Sequence, residues 1–165
     1  MIRSIRGWDK AFYDGQIMMC LVLRFKDPKY VAPVAEMLAK KVLAFQMGTD
    51  GQILYRNPQK VPIYTLPHFD DKEKMSHYML QHHSRPYKLA LGAIGVSDDC
   101  VVFNANHMLA DGGYFKLVID EVSKGLDTPL QGDIPKSAEF IFSKQMSEAP
   151  DNIFPGDYDM KLTNF

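Results

Sequence analysis

Apolar positions along this chain fall into three kinds of run, and each kind implies a different element. The longest is continuous. Positions 17–25, Ile-Met-Met-Cys-Leu-Val-Leu-Arg-Phe, show no polar alternation, which predicts a central strand covered on both faces. The second kind is helical in period. Val31, Val34, Ala35, Leu38, Val42 and Phe45 form one stripe, so a helix is expected over 28–46, with Asp27 as N-cap, Pro28 at the first helical position and Lys40 and Lys41 near its end. A second helix is expected over 71–84, with Met75, Tyr78, Met79 and His82 on one side. A third follows Gly113, runs through 114–122 and stops at Gly125. The remaining runs are strands. Asp50-Gly51 is a turn signal, and 52–55 with 61–66 read as a pair of short strands. Segments 87–96 and 99–107 predict an antiparallel hairpin around Ser97-Asp98-Asp99. Period two puts Val101, Phe103, Ala105 and His107 on one face of its second strand, with Val102, Asn104 and Asn106 on the other.

Alternating apolar strands and one-striped helices predict an α/β two-layer sandwich, with a mixed, largely antiparallel sheet and helices packed on it. The pattern changes at Leu126. Pro129, Pro135, Pro150 and Pro155, with Gly132 and Gly156, break the tail into short pieces and leave one expected helix near 137–146. The expected organisation is therefore a folded unit over 1–125 and an extended tail or linker over 126–165, lying along the domain or a partner.

Composition narrows the function classes. The chain has 165 residues, 46% hydrophobic and 24% charged, the ordinary globular range for one domain with a real core. A net charge of −1 gives no electrostatic reason to expect nucleic acid. The cleanest apolar run, 17–23, is too short to span a bilayer, and Arg3 and Arg6 are followed by no apolar segment of the signal-peptide kind. Cys20 and Cys100 lie in apolar strand-like runs, which suggests buried thiols in a cytoplasmic protein. His68, His77, His82 and His83 lack a carboxylate or cysteine at ligand spacing, so no metal site is expected and these histidines read as solvated or capping.

Chemistry concentrates in His107-Met108-Leu109-Ala110-Asp111-Gly112, between the last strand and the last helix. A histidine at a strand end, fixed by a tight turn, is placed to act as a base near neutral pH, with a carboxylate and a flexible glycine one turn away. The same residues also read as a partly buried histidine beside an aspartate that caps the next helix. Both readings stand on the residues alone.

The element order and this motif resemble the N-terminal half of the chloramphenicol acetyltransferase-like superfamily, which includes alcohol acyltransferases, carrier-protein-dependent acyltransferases and the condensation domains of peptide synthetases. The family signature is HHxxxDG. Its second histidine matches His107, its aspartate Asp111 and its glycine Gly112, while Asn106 stands where the first histidine would be. Residues 84–91, Ser-Arg-Pro-Tyr-Lys-Leu-Ala-Leu, resemble the family segment that leads into the strand before the motif. The likeness runs from residue 9 to about 125 in element order.

The resemblance implies an acyltransferase, or half of one, moving an acyl group from a coenzyme A or carrier-protein thioester to a hydroxyl or amine. His107 would be the general base, and no covalent acyl-enzyme is needed. Asp111 would support the site by pairing with an arginine, Arg24 or Arg56, and Gly112 would leave room for the pantetheine arm. No cofactor would be bound permanently; acyl-CoA or acyl-pantetheine would be a co-substrate, beside a small-molecule acceptor. Family members with so early a motif continue into a second half carrying an Asp-Phe-Gly-Trp-Gly-like segment, with the tunnel between the halves. The expected partner is thus that second half or another copy in a homo-oligomer, and the chain reads as a fragment or one half of a split enzyme. Asn106 and the lack of that second half in this sequence keep open a non-catalytic binding or interaction module on the same fold, and an unrelated small-molecule-binding α+β domain is a third reading.

Overall fold

A computed structural model describes residues 3–57 and 59–125. The expected tail over 126–165, with its helix near 137–146, lies outside the described residues. In chain order the elements are β1 (Arg3–Ser4), α1 (Gly7–Asp14), β2 (Met18–Arg24), α2 (Val31–Lys41), β3 (Met47–Thr49), β4 (Ile53–Arg56), β5 (Ile63–Thr65), α3 (Lys72–His82), β6 (Gly92–Ser97), β7 (Cys100–Asn106) and α4 (Gly112–Lys124). A 3₁₀ turn precedes α2 at Pro28–Tyr30 and another follows it at Leu43–Gln46.

The main sheet runs β2-β7-β6-β5, and only its β5–β6 pair is parallel. The expected α/β fold, with a mixed and largely antiparallel sheet under helices, is the one found. The hairpin pairs Ser97 with Cys100 across Asp98-Asp99, so the period-two reading of β7 holds. Val101, Phe103 and Ala105 enter the larger core with Val34, Leu38, Phe45, Phe115 and Val118, which brings α2 and α4 onto one face. Cys100 and Val102 turn the other way, onto Met75 and Met79 of α3 and Leu66. Phe103 is fully buried, edge-on to Phe45 at 5.9 Å and to Phe115 at 5.4 Å. Burial of such a ring stabilises by about 2–3 kcal/mol, and each edge-to-face pair adds about 1 kcal/mol. This pins α4, and the turn before it, to the sheet.

Four expectations need correction. The 17–25 run is not a central strand: β2 lies at the sheet edge, and its residues are half-buried or exposed. Continuous apolarity reports that both faces are partly covered; it carries no information on which strands flank a strand. The helix expected over 28–46 is α only from Val31 to Lys41. Leu43, Ala44 and Phe45 are all buried in succession, which one face of a straight helix cannot achieve, and the chain bends at Val42 (φ −66°, ψ 122°) to do it. The segments 52–55 and 61–66 do not pair with each other. β4 pairs with β3 and β1 in a separate three-stranded sheet, and β5 runs parallel to β6. The Asp50 turn closes the β3–β4 hairpin instead, its carboxylate accepting from the backbone N–H of Gln52 and Ile53, with Gly51 at φ 91°. Finally, the strand expected over 87–96 begins only at Gly92, because Leu89 N–H bonds to the Pro86 carbonyl and turns the chain.

Candidate functional site

The end of β7 is tied down by its backbone and by one side chain. Asn106 N–H donates to the Leu91 carbonyl at 2.7 Å, and His107 N–H donates to the Ile17 carbonyl at 2.9 Å. The Asn106 carbonyl then accepts from the N–H of Leu109 and Ala110, closing the turn. Asn106 is wholly buried. Its amide oxygen accepts the N–H of Met108 at 3.0 Å, while its amide nitrogen donates to the Tyr87 hydroxyl at 3.2 Å and the Phe12 carbonyl at 3.4 Å. One side chain therefore joins α1, the segment before β6, and the His107 turn. Burial raises the Tyr87 hydroxyl above its ordinary pKa, so it stays protonated.

His107 follows directly. Its half-buried ring stacks on Phe12, with centroids 4.5 Å apart and planes 5° from parallel. Its Nδ1 is buried without a hydrogen-bond partner. Phe12 in turn meets Trp8 at 6.2 Å. Trp8 and Ile17, either side of this stack, are 50% and 43% exposed, so the histidine lies against a partly open apolar surface. Met108, Leu109 and Ala110 are buried and hold the turn rigid.

Asp111 ends the same turn and is exposed. Its carboxylate accepts the N–H of Tyr114 at 2.7 Å and so caps α4. The expected arginine pairing is not found. Arg24 binds Asp99 at 2.5 Å, holding that carboxyl below its usual pKa, and Arg56 is exposed on β4 in the other sheet. A short carboxylate at the start of a helix is taken up by the helix's own free N–H groups, which lie closer than any guanidinium. Gly112 is the first residue of α4, and a Cβ built on it would meet no atom within 4 Å. His107, Asp111 and Gly112 thus share one turn, while no hydrogen bond joins the His107 and Asp111 side chains.

The other histidines lie apart. His83 stacks on Tyr64 at 4.2 Å and His82 meets Tyr78 at 4.3 Å. His68 bridges Asp98 at 2.5 Å and Asp70 at 3.1 Å, and these carboxylates raise its pKa. Among the described residues no group of three or more His, Cys, Asp or Glu stands close enough to hold a metal ion. Sequence reasoning missed Phe12 and Tyr87, both supplied from far along the chain. The Tyr87 segment carried a signal, since 84–91 resembles a family segment; Phe12 carried none, because eight residues of α1 are too few to show a stripe.

No protein-family description matches the chain, and no curated protein matches it. Solved structures do. Polyketide synthase associated protein 5 from Mycobacterium tuberculosis superposes with a TM-score of 0.57 at 11% identity, covering 88% of this chain and 40% of that one. The likeness is one of fold, the mixed α/β arrangement that the element order implied. The first condensation domain of the calcium-dependent antibiotic synthetase gives a TM-score of 0.49 at 15% identity over 86% of this chain and 42% of that one. VibH, an NRPS condensation enzyme, gives 0.46 at 15% over 81% and 40%. The chain spans about two fifths of the length of these structures. Among the described residues no helix is long and apolar enough to cross a membrane.

Proposed function

We propose that this chain forms one wall of an acyltransferase site in which His107 is the general base. The observation that carries the reading is the state of the His107 ring. It is held by the backbone bond to Ile17 and the stack on Phe12, at the strand end where the motif sits, and among the described residues it takes part in no side-chain hydrogen bond. A ring fixed this firmly but left chemically unused is suited to proton transfer. With Nδ1 buried, Nε2 is the nitrogen that would take a proton from the acceptor hydroxyl or amine. The acceptor attacks the thioester carbonyl, the thiolate leaves on its coenzyme A or pantetheine arm, and the proton on Nε2 passes to that thiolate. Gly112 leaves its side of the turn open for the arm.

The second wall is a further half of the same enzyme or another copy of the chain. The exposed Trp8 and Ile17 beside His107 support this, since an acyl tunnel needs apolar cover on both sides. Asn106 in the place of the first family histidine, and Asp111 as a helix cap without an arginine, favour a second reading, a non-catalytic interaction module.

The test is acyl transfer from a panel of acyl-CoA and acyl-pantetheine thioesters by the protein at its natural length. His107→Ala is expected to lower kcat about 10²- to 10⁴-fold with the fold retained. Turnover unchanged in His107→Ala removes the mechanism. No turnover with any thioester favours the interaction module.

A further inference from the structure

An open cleft of about 630 Å³ lies on the α3 side of the main sheet, between the C-terminal end of α3, the 84–88 segment and the β7 strand. Two buried donors on its walls have nothing to bind. Asn104 is 1% exposed, and its amide oxygen accepts the Ala93 N–H at 2.9 Å, which identifies the other end as the nitrogen; that nitrogen has no partner. Arg85 Nη1 is likewise buried and without a partner, and Arg85 makes no ion pair among the described residues. Buried polar groups are almost always satisfied, so two orphaned donors on one cleft are informative. A Cβ on the neighbouring Gly92 would fall 2.3 Å from the Asn104 backbone carbonyl oxygen, so the two strands lie in close contact at the cleft wall.

The rest of the lining agrees. Lys88 adds a second cation, Ser84 adds a hydroxyl, and among the described residues no carboxylate lines the cleft. One wall is aromatic, with Tyr13 and Tyr87 rings 5.5 Å apart. We propose that this cleft binds the anionic group of a substrate, a carboxylate or a phosphate monoester, with Arg85 and Asn104 donating to its oxygens and Lys88 at the mouth. The chemistry is charge-assisted donation from a half-buried guanidinium, stronger than the same contact in open water. The inference rests on the acyl-transfer reading for the choice of ligands: the anion is either a carboxylate on the acyl acceptor or the phosphate of a phosphopantetheine arm. Tyr87 joins the cleft to the His107 turn, since it lines the one and bonds Asn106 in the other.

The experiment is calorimetric titration of the full chain carrying His107→Ala, so that binding is read without turnover. Two matched pairs serve as probes: 4′-phosphopantetheine against pantetheine, and hippurate against hippuramide. In one pair the charged member is expected to bind at least about tenfold more tightly than the neutral one, and which pair does so names the source of the anion. Arg85→Gln is expected to abolish that preference with the melting temperature unchanged, and Arg85→Lys to keep part of it. Should Arg85→Gln not fold, Lys88→Gln, at an exposed position, must still weaken the preference severalfold. Equal binding of charged and neutral members, no binding of either charged member, or a preference that survives Arg85→Gln overturns the anion site. Each of those results leaves the His107 reading untouched, whereas turnover independent of His107 sinks that reading and leaves the titration standing.

Discussion

Asn106→Ala tests whether a single amide organises the His107 turn. The substitution strands the buried Met108 N–H, which now bonds Asn106 at 3.0 Å, and removes the donor to the Tyr87 hydroxyl at 3.2 Å. Leaving a buried backbone N–H unsatisfied costs about 1–3 kcal/mol. The 3.4 Å bond to the Phe12 carbonyl is long and adds little. The space vacated by the amide adds up to about 1 kcal/mol, because Asn106 is fully buried and its neighbours close in only partly. The expected loss is therefore roughly 2–4 kcal/mol, or a melting point lower by roughly 5–15 °C for a chain of this size. Urea unfolding followed by far-ultraviolet circular dichroism reads the first figure and a thermal scan the second. Asn106→Asp separates the two halves of the argument. It keeps the acceptor for Met108, replaces the donor, and buries a charge, so its destabilisation should grow as pH rises through the carboxylate range. A change below about 0.5 kcal/mol in Asn106→Ala would refute the reasoning, since that is the range of a surface position with no such contacts.

Three further outcomes follow from the same contacts. Asp111→Asn should leave stability within about 0.5 kcal/mol, because asparagine caps as well as aspartate, whereas Asp111→Ala should cost about 1 kcal/mol; a large loss in Asp111→Asn on denaturant unfolding would instead reveal an ion pair. Cys100 is 3% exposed and burial pushes its thiol up to about 11, so at pH 8 about one thiol in a thousand is ionised. Ellman's reagent should label it slowly in the native protein and rapidly in denaturant, with fast native labelling of both cysteines the contrary result. The His68 pKa is raised above 6.5 by its bonds to Asp98 and then Asp70, so its stabilising contribution is full below that pH and fades as pH rises through the folded-state value. Comparing unfolding of the protein and His68→Gln at pH 5.5 and 8.5 should show a difference at the lower pH that shrinks at the higher one.

Local patterns were enough for some of this protein. Period-two alternation in β7, the Asp-Asp hairpin turn, and the helices α3 and α4 with their aspartate caps all depend on residues a few positions apart, and those interactions are written along the chain. The motif was legible for the same reason, since His107, Asp111 and Gly112 share one turn. The rest depends on segments that meet from far away. Nothing near 17–25 says that, among the described residues, β2 has a neighbour on one side only, because strand order is decided by the competition of all strands for pairing. Nothing near 28–46 says that Leu43, Ala44 and Phe45 must all be buried, which requires the sheet to be in place beneath them. Asp111 was expected to seek a distant arginine and met the amides of its own helix first. The environment of His107 was the least legible part. Phe12 comes from a helix too short to announce itself, Tyr87 from a turn, and Ile17 from the residue before the edge strand, and only the folded chain brings the three to one ring and one amide. Sequence singled out the His107 turn as the candidate site; tertiary structure decided what holds it, because packing partners are chosen by shape and burial across the whole fold rather than by adjacency along the chain.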